Sequence, residues 1–283
     1  MKTIETISGM STFSKTAKKE GKSIGLVPTM GALHEGHLSL VRAAKKENDI
    51  VVMSVFVNPI QFGPSEDLDK YPRDFKRDGE MARAAGVDAV FHPSASQMYP
   101  EGFSTYVNVE GLTDTLCGAS RPGHFRGVTT VVMKLFAIVK PDAAYFGQKD
   151  AQQAIVVKKM AEDLNLDIDV RILPVVREKD GLAMSSRNAY LSTDERKDSA
   201  VLYQALRKAE DLMRQGETDP AKVVKAMEGM IKAKQNARID YIAVVDPKNL
   251  RDAKTVSGDA LVALAVFIGK TRLIDNVIVT IGS

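Results

Sequence analysis

The chain has 283 residues and a formal charge of +3, with both signs mixed along it, which allows one large or two medium domains and argues against a dedicated nucleic-acid binder while suiting a small anionic substrate. A lone cysteine, Cys117, excludes a disulfide framework or a cysteine metal cluster, points to a reducing compartment and reads as a small buried hydrophobe. The first residues lack the apolar core of a signal peptide and no run approaches bilayer-spanning length, so the expectation is a cytoplasmic protein with no membrane partner.

Ser11–Glu20 reads as a polar helix and Ser23–Val27 as a buried strand that Pro28 should end, because proline has no N–H for a ladder. After Gly31 comes His34-Glu35-Gly36-His37, two of the four histidines flanking a glycine. Leu38, Leu40, Val41 and Ala44 then recur at helical spacing, which places His37 at the mouth of a helix whose first N–H groups lack intrahelical partners and attract anions. Gly36 would let a ring or a phosphate lie against the backbone. The functional reading is a nucleotide site with two imidazoles as phosphate donors. A zinc protease pattern needs H-E-x-x-H, and here the second His comes one residue early.

Asp49–Val57 is a continuous apolar run, the mark of a strand covered on both faces. Gln61 follows its end and reads equally well as a substrate contact in the crevice of a parallel sheet or as a solvated loop amide. Pro72–Ala85 reads as a helix, Asp88–Phe91 as a short strand and Thr105–Val109 as an alternating edge strand. The segment from Arg121 to Gly127, with Arg121, His124 and Arg126, is either a loop that closes over phosphates or an ordered surface loop. Val128–Val139 is helical in pattern and Ala143–Phe146 is a buried strand. It runs into Gly147-Gln148-Lys149-Asp150 and a helix over Ala151–Leu164, with Gln153 one turn in. A lysine there supplies a point charge for phosphate, although an N-capping Asp beside a solvated Lys is the plainer alternative.

Ile168–Val176 is the next strand. The polar stretch Glu178–Asn188 then carries Ser185, Ser186 and Arg187, groups that can wrap an anion. Helices are predicted over Thr193–Gln215 and Asp219–Lys234, and strands near Ile239–Val245, Ala260–Phe267 and Asn276–Ile281. A βαβα first part with an α+β tail implies two domains with a hinge near residue 177. Gly21-Lys22-Ser23 and Gly269-Lys270-Thr271 look like P-loop endings, but Thr16 and Leu264 stand where the earlier glycine is required.

In this order, VPTMGALHEGH, SVFVNPIQFG, RPGHFRGV, FGQKDAQQ and DGLAMSSRN make the chain resemble the pantoate–beta-alanine ligases along essentially its whole length. That family belongs to the nucleotidyltransferases that include class I aminoacyl-tRNA synthetases. His34-Glu35-Gly36-His37 is similar to their HxGH signature, and Met184-Ser185-Ser186-Arg187 to their mobile KMSKS loop. The resemblance implies a Rossmann-like parallel-sheet domain over residues 1–176, binding nucleotide and pantoate, and a smaller α+β domain over 177–283 carrying the MSSR segment. It implies that pantoate attacks MgATP to give pantoyl adenylate and pyrophosphate, and that beta-alanine then displaces AMP.

Carried over by position, Met30, Gly31, Ala32, Leu33, His34, Glu35, Gly36 and His37 line the ATP site. Gly147, Gln148, Lys149 and Asp150 contact the nucleotide, Val176 meets adenine by its backbone, and Met184, Ser185, Ser186 and Arg187 close over the phosphates. His34, His37, Lys149 and Arg187 carry catalysis, with His37 as the acid. Gln61 and Gln153 hold pantoate, and Gln61 borders beta-alanine. The protein ligand of Mg²⁺ is left open, with Asp78 the carboxylate considered. A homodimer is implied, and the expected edge strand at Thr105–Val109 is a surface that proteins tend to cover. The runner-up is an adenylyltransferase of the same superfamily that keeps AMP in its product. A zinc hydrolase would need bound metal, and a binding module would hold ATP without releasing pyrophosphate.

Overall fold

The computed structural model describes residues 1–64 and 66–281. The chain begins β1 (Lys2–Ile4), α1 (Ile7–Lys19), β2 (Ile24–Thr29), α2 (Glu35–Glu47), β3 (Ile50–Val55), α3 (Phe75–Ala84) and β4 (Ala89–Phe91). The short helices α4 (Ala95–Met98) and α5 (Cys117–Ser120) precede α6 (His124–Val139), β5 (Ala143–Gly147), α7 (Ala151–Asp163) and β6 (Asp169–Leu173). The six strands form one sheet in the order β1-β4-β3-β2-β5-β6, with every pair parallel. Parallel neighbours need helical crossovers, so both faces become buried. Val27, Val51, Met53, Val90 and Tyr145 share one core with Leu40, Val41 and Ala44 of α2 and Ala82 of α3. The other parity of the same strands, Ile24, Leu26, Val52, Phe91 and Ala144, is equally unexposed.

Three local expectations are corrected. Pro28 does not end β2, which continues to Thr29 with Pro28 opposite Ser54 of β3. In β2 the carbonyls of Ser23 and Thr29 accept from the β3 side, whereas that of Ile24 accepts from Asp142 on the β5 side. Pro28 shares the parity of Ile24, so its missing N–H would face β5, and pairing with β5 stops at Leu26. Thr105–Val109 is not a strand: the Val107 N–H donates to Thr130 Oγ1 and its carbonyl accepts from Thr129 Oγ1, so side chains of α6 complete its backbone. The single helix expected over Thr193–Gln215 is two, α8 (Thr193–Ser199) and α9 (Val201–Arg214). β1 had no sequence signal beyond three residues, yet it pairs with β4 at the sheet edge.

The tail continues with α10 (Pro220–Lys232) and the antiparallel strands β7 (Ala237–Val245), β8 (Gly258–Ile268) and β9 (Thr271–Ile281), in that order in their sheet. Leu202, Leu206 and Met213 of α9 and Val223, Met227 and Ile231 of α10 pack with Val262, Leu264 and Val266 of β8.

The chain divides into two compact units that interleave in sequence. The first comprises Met1–Glu110, Arg121–Gly147 and Val156–Pro174; the second comprises Gly111–Ser120, Gln148–Ile155 and the chain from Val175 onward. Gln152 explains why two short segments travel together. Its Nε2 donates to the carbonyls of Leu112 and Thr115, and its Oε1 accepts from the Cys117 N–H. Among the described residues no helix is long and apolar enough to cross a membrane.

Within the first unit, α6 comes closest to the 3₁₀ turn Pro59–Gln61 at Gly127, where a Cβ would lie 2.5 Å from the Ile60 carbonyl oxygen and 2.6 Å from Gln61 Cα. Backbone cannot swing away as a side chain can. Gly127→Ala should therefore cost about 1–3 kcal/mol as overpacking, measured by chemical denaturation; an unchanged midpoint would mean that the turn shifts freely.

Candidate active site

The sheet order places the topological switch point between β2 and β5, and ligand crevices in such sheets form at the carboxyl ends of the strands. β2 runs there into a turn in which Gly31 and Ala32 have positive φ, 83° and 51°. The amides of Gly31, Ala32 and Leu33 each meet a side-chain oxygen. Thr29 Oγ1 accepts from the Gly31 N–H while donating to the Ser54 carbonyl. Asp78, from α3 and only 2% exposed, accepts from the N–H groups of Ala32 and Leu33, one carboxylate oxygen each at 2.8 Å. A Cβ on Gly31 would stand 2.8 Å from that carboxylate, so glycine is required twice over, by conformation and by space.

The two histidines cap the helix that follows. His34 is the N-cap of α2 and its Nδ1 accepts from the Gly36 N–H at 3.1 Å, while His37 Nδ1 accepts from the His34 N–H at 3.4 Å. Their ring centroids are 4.1 Å apart. An Nδ1 that accepts leaves the ring proton on Nε2, so both imidazoles are set as Nε2–H donors. Two expectations change accordingly. The space beside Gly36 is filled by His34 itself, whose ring atoms would lie 2.9 Å from a Cβ there. Because the imidazoles already occupy amides of the helix mouth, an anion would be met by ring N–H groups rather than by those backbone donors.

Gln61 ends the Pro59–Gln61 turn after β3 and is 8% exposed. A chain of hydrogen bonds sets the sense of its amide. Burial pushes the Tyr99 phenol well above its ordinary pKa, so it is a donor, and it donates to Asn58 Oδ1 at 2.7 Å. Asn58 Nδ2 then donates to Gln61 Oε1 at 3.0 Å and to the Gly127 carbonyl at 3.1 Å. Gln61 Nε2 is turned away from Asn58 and donates to Met30 Sδ at 3.2 Å. The Arg121–Gly127 segment braces the same turn. Arg121 binds Glu66 through Nε and Nη2 and reaches His124 Nε2, while His124 Nδ1 donates to the Gln61 carbonyl at 2.8 Å. Burial draws the Glu66 carboxyl upward, but the bonds and charge of Arg121 outweigh it and hold it below its ordinary pKa. Arg126 stacks on Tyr106, 3.8 Å from the ring centroid.

The other expected residues lie in the second unit, except Gly147, which ends β5 in the first. Gln148–Asp150 is a 3₁₀ turn, Lys149 Nζ stands 3.7 Å from Asp150 Oδ2, and Gln153 lies in the first turn of α7. Val176 accepts from the Met184 N–H through its carbonyl, and Arg177 bridges to Ala183, so residues 176–184 form a tight hairpin around Gly181. Ser185 caps the 3₁₀ helix Ser186–Tyr190 by accepting from the Arg187 N–H. Arg177 makes a bidentate pair with Asp275, whose carboxyl burial raises above its ordinary pKa against the pull of that guanidinium.

Met30 to His37 and Gln61 therefore share the first unit, and Gln148 to Asp150, Gln153, Val176 and Met184 to Arg187 share the second. Sequence reasoning missed Asn58, Tyr99 and Asn276 as partners of these turns. It also left the Mg²⁺ ligand open with Asp78 considered; each oxygen of that carboxylate accepts one backbone N–H, from Ala32 and Leu33. Among the described residues no cluster of three or more His, Cys, Asp or Glu side chains has metal-site geometry. Asp78→Ala would strand the buried Leu33 N–H and the part-buried Ala32 N–H and should cost about 1–3 kcal/mol, read from a denaturant midpoint. A loss below about 1 kcal/mol would mean that the turn keeps its shape without the carboxylate.

The Pantoate-beta-alanine ligase family model matches residues 2–278. A pantothenate synthetase from Acetivibrio thermocellus is 58% identical over 99% of this chain and 100% of its own length. The solved pantothenate synthetase of Thermus thermophilus superposes with a TM-score of 0.93 at 46% identity, over 98% of this chain and 99% of that one. A Francisella tularensis pantoate-beta-alanine ligase, solved in complex with beta-gamma ATP and beta-alanine, matches with a TM-score of 0.81 at 33% identity, over 98% of this chain and 97% of its own. Full-length agreement in sequence and fold, across both units, leaves one conclusion: the chain belongs to the pantoate-beta-alanine ligase family.

Proposed function

We propose that this chain condenses (R)-pantoate with beta-alanine at the expense of ATP, through pantoyl adenylate, releasing pyrophosphate and then AMP. The observation that carries the reading is the Thr29–His37 turn, held by a buried carboxylate and presenting two Nε2–H imidazoles, in a chain 58% identical to a pantothenate synthetase along its whole length. The Francisella relative, solved with ATP and beta-alanine, supports the same two substrates. An adenylyltransferase that retains AMP is not favoured.

In the first step a pantoate carboxylate oxygen bonds to the α-phosphorus as the bond to the bridging oxygen breaks and pyrophosphate leaves. Negative charge spreads over the phosphates, and the assigned donors are His34 and His37, the Lys149 ammonium, Ser185, Ser186 and Arg187. Met30 to Leu33, Glu35, Gly36, Gly147, Gln148, Asp150, Val176 and Met184 are assigned to the nucleotide. Gln61 and Gln153 are assigned to pantoate. The Gln61 amide sense imposed by Asn58 supports this, since an Nε2 not used by Asn58 is a donor that can meet a carboxylate without neutralising the nucleophile. In the second step the beta-alanine amine forms the C–N bond, the acyl–phosphate bond breaks, and AMP leaves.

Mg²⁺ is assigned as part of the substrate MgATP, where such an ion keeps several waters and is held by substrate phosphates with one or two carboxylates. We assign nucleotide and pantoate binding to residues 1–176 and the MSSR segment to residues 177–283. A cytoplasmic homodimer completes the proposal, resting on the family resemblance alone now that residues 105–109 offer no edge strand.

With ATP and pantoate alone, about one enzyme equivalent of pyrophosphate should appear, and AMP should follow only when beta-alanine is added. Steady AMP release without the amine, or ADP as product, would sink the two-step reading.

His37→Ala and Lys149→Ala should each slow adenylate formation about a hundredfold or more, as loss of transition-state charge stabilisation does. Gln61→Ala or Gln153→Ala should weaken pantoate use strongly while calorimetric ATP affinity moves less than about tenfold. Equal losses for both ligands would remove the pantoate assignment.

A further inference from the structure

Two segments that the proposed reaction sets on the nucleotide, Gln148–Asp150 and the hairpin leading to Met184–Arg187, end on one dipeptide of β9 within the second unit. Asn276 is 3% exposed. Its Nδ2 donates to the carbonyls of Gln148 at 2.8 Å and Lys149 at 3.0 Å, and its Oδ1 accepts from Gln148 Nε2 at 3.3 Å. The whole amide is committed to that turn. Its neighbour Asp275 grips Arg177 at 2.6 and 3.1 Å, and Arg177 Nη1 also donates to the Gly181 carbonyl at 3.0 Å inside the hairpin. The Arg177 guanidinium further stacks on Tyr203, 4.2 Å from its ring centroid, and a Cβ on Gly181 would collide with that ring.

We propose that Asn276 is a positioning residue for adenylate formation, holding the backbone from which Lys149 reaches phosphate, and that Asp275-Asn276 is the common anchor of both nucleotide segments. This rests on the role given to Lys149 above. The chemistry explains why the residue is an amide. A 3₁₀ turn leaving a strand exposes carbonyls with no ladder partner, and two of them face one buried group. Asparagine satisfies both as a donor. A carboxylate of the same shape would set oxygen against oxygen, and an aliphatic side chain would remove both donations. A side chain acting on a spreading charge loses rate when its backbone shifts by about an ångström.

A purely structural asparagine would stabilise the unit whatever occupies position 149, and a double-mutant cycle separates the two roles. Asn276→Ala and the near-isosteric Asn276→Asp are made in the native and Lys149→Ala backgrounds. Pantoate-dependent ATP–pyrophosphate exchange is followed, together with the thermal midpoint and KM for each substrate. Asn276→Ala is expected to slow exchange about 10- to 100-fold when Lys149 is present and less than about threefold when it is absent, with KM for ATP rising more than KM for pantoate. Equal losses in both backgrounds, an unchanged rate, or failure of both variants to fold would overturn the proposal and make Asn276 a structural residue. A native rate in Lys149→Ala alone would overturn the Lys149 assignment and this inference with it. A slow Lys149→Ala with additive losses would overturn the inference alone.

Discussion

The N–H groups of Ala32 and Leu33 leave β2 without a ladder partner, and the buried carboxylate of Asp78 takes both. Much of the geometry around the histidine pair depends on those two bonds. They hold the chain in the positive-φ conformation that Gly31 and Ala32 adopt, and so fix where α2 begins. The entry point of α2 in turn sets His34 as its cap and brings His37 under it. A carboxylate buried for this purpose is costly to desolvate, and the two charge-assisted bonds offset that cost.

The same constraint recurs at the other strand ends. The turn after β3 is completed by Asn58, with Tyr99 and His124 behind it, and the turn after β5 by Asn276 from the far end of the chain. Where side-chain amides do the bracing, they add no charge beside groups assigned to anionic substrates. Apart from the Asp78 carboxylate, which meets backbone N–H groups, charge near these turns is kept in pairs, Glu66 with Arg121 and Asp275 with Arg177. Such pairs hold direction without presenting an uncompensated ion to the ligand.

Capping and the proposed catalysis draw on the same two rings. Nδ1 of each histidine is spent on a backbone amide of α2, which orients the ring and leaves the donor on Nε2. The helix is thus stabilised by the groups assigned to the phosphates. Donors fixed in this way by the fold are the kind that the proposed charge stabilisation would use without reorganisation.

By itself the sequence determined the central strands, the helices of strong period and the family, because these are written locally, in apolar runs, helical spacing and the motifs around His34, Gln61, Lys149 and Ser185. The histidine pair was legible as a candidate site too, since two imidazoles around a glycine after a buried strand have few plain explanations. Only the tertiary structure decided that Pro28 stays inside β2, which depends on where pairing with β5 stops. It alone turned residues 105–109 from an expected edge strand into chain completed by α6, and grouped residues 111–120 and 148–155 with the tail. Asp78 lies 46 residues from Ala32, and Asn276 lies 128 from Gln148. The physical reason is common to all of these: hydrophobic pattern reports the burial of each residue, whereas the partner of a buried donor or acceptor is chosen by the folded chain and leaves no mark in the residues on either side of it.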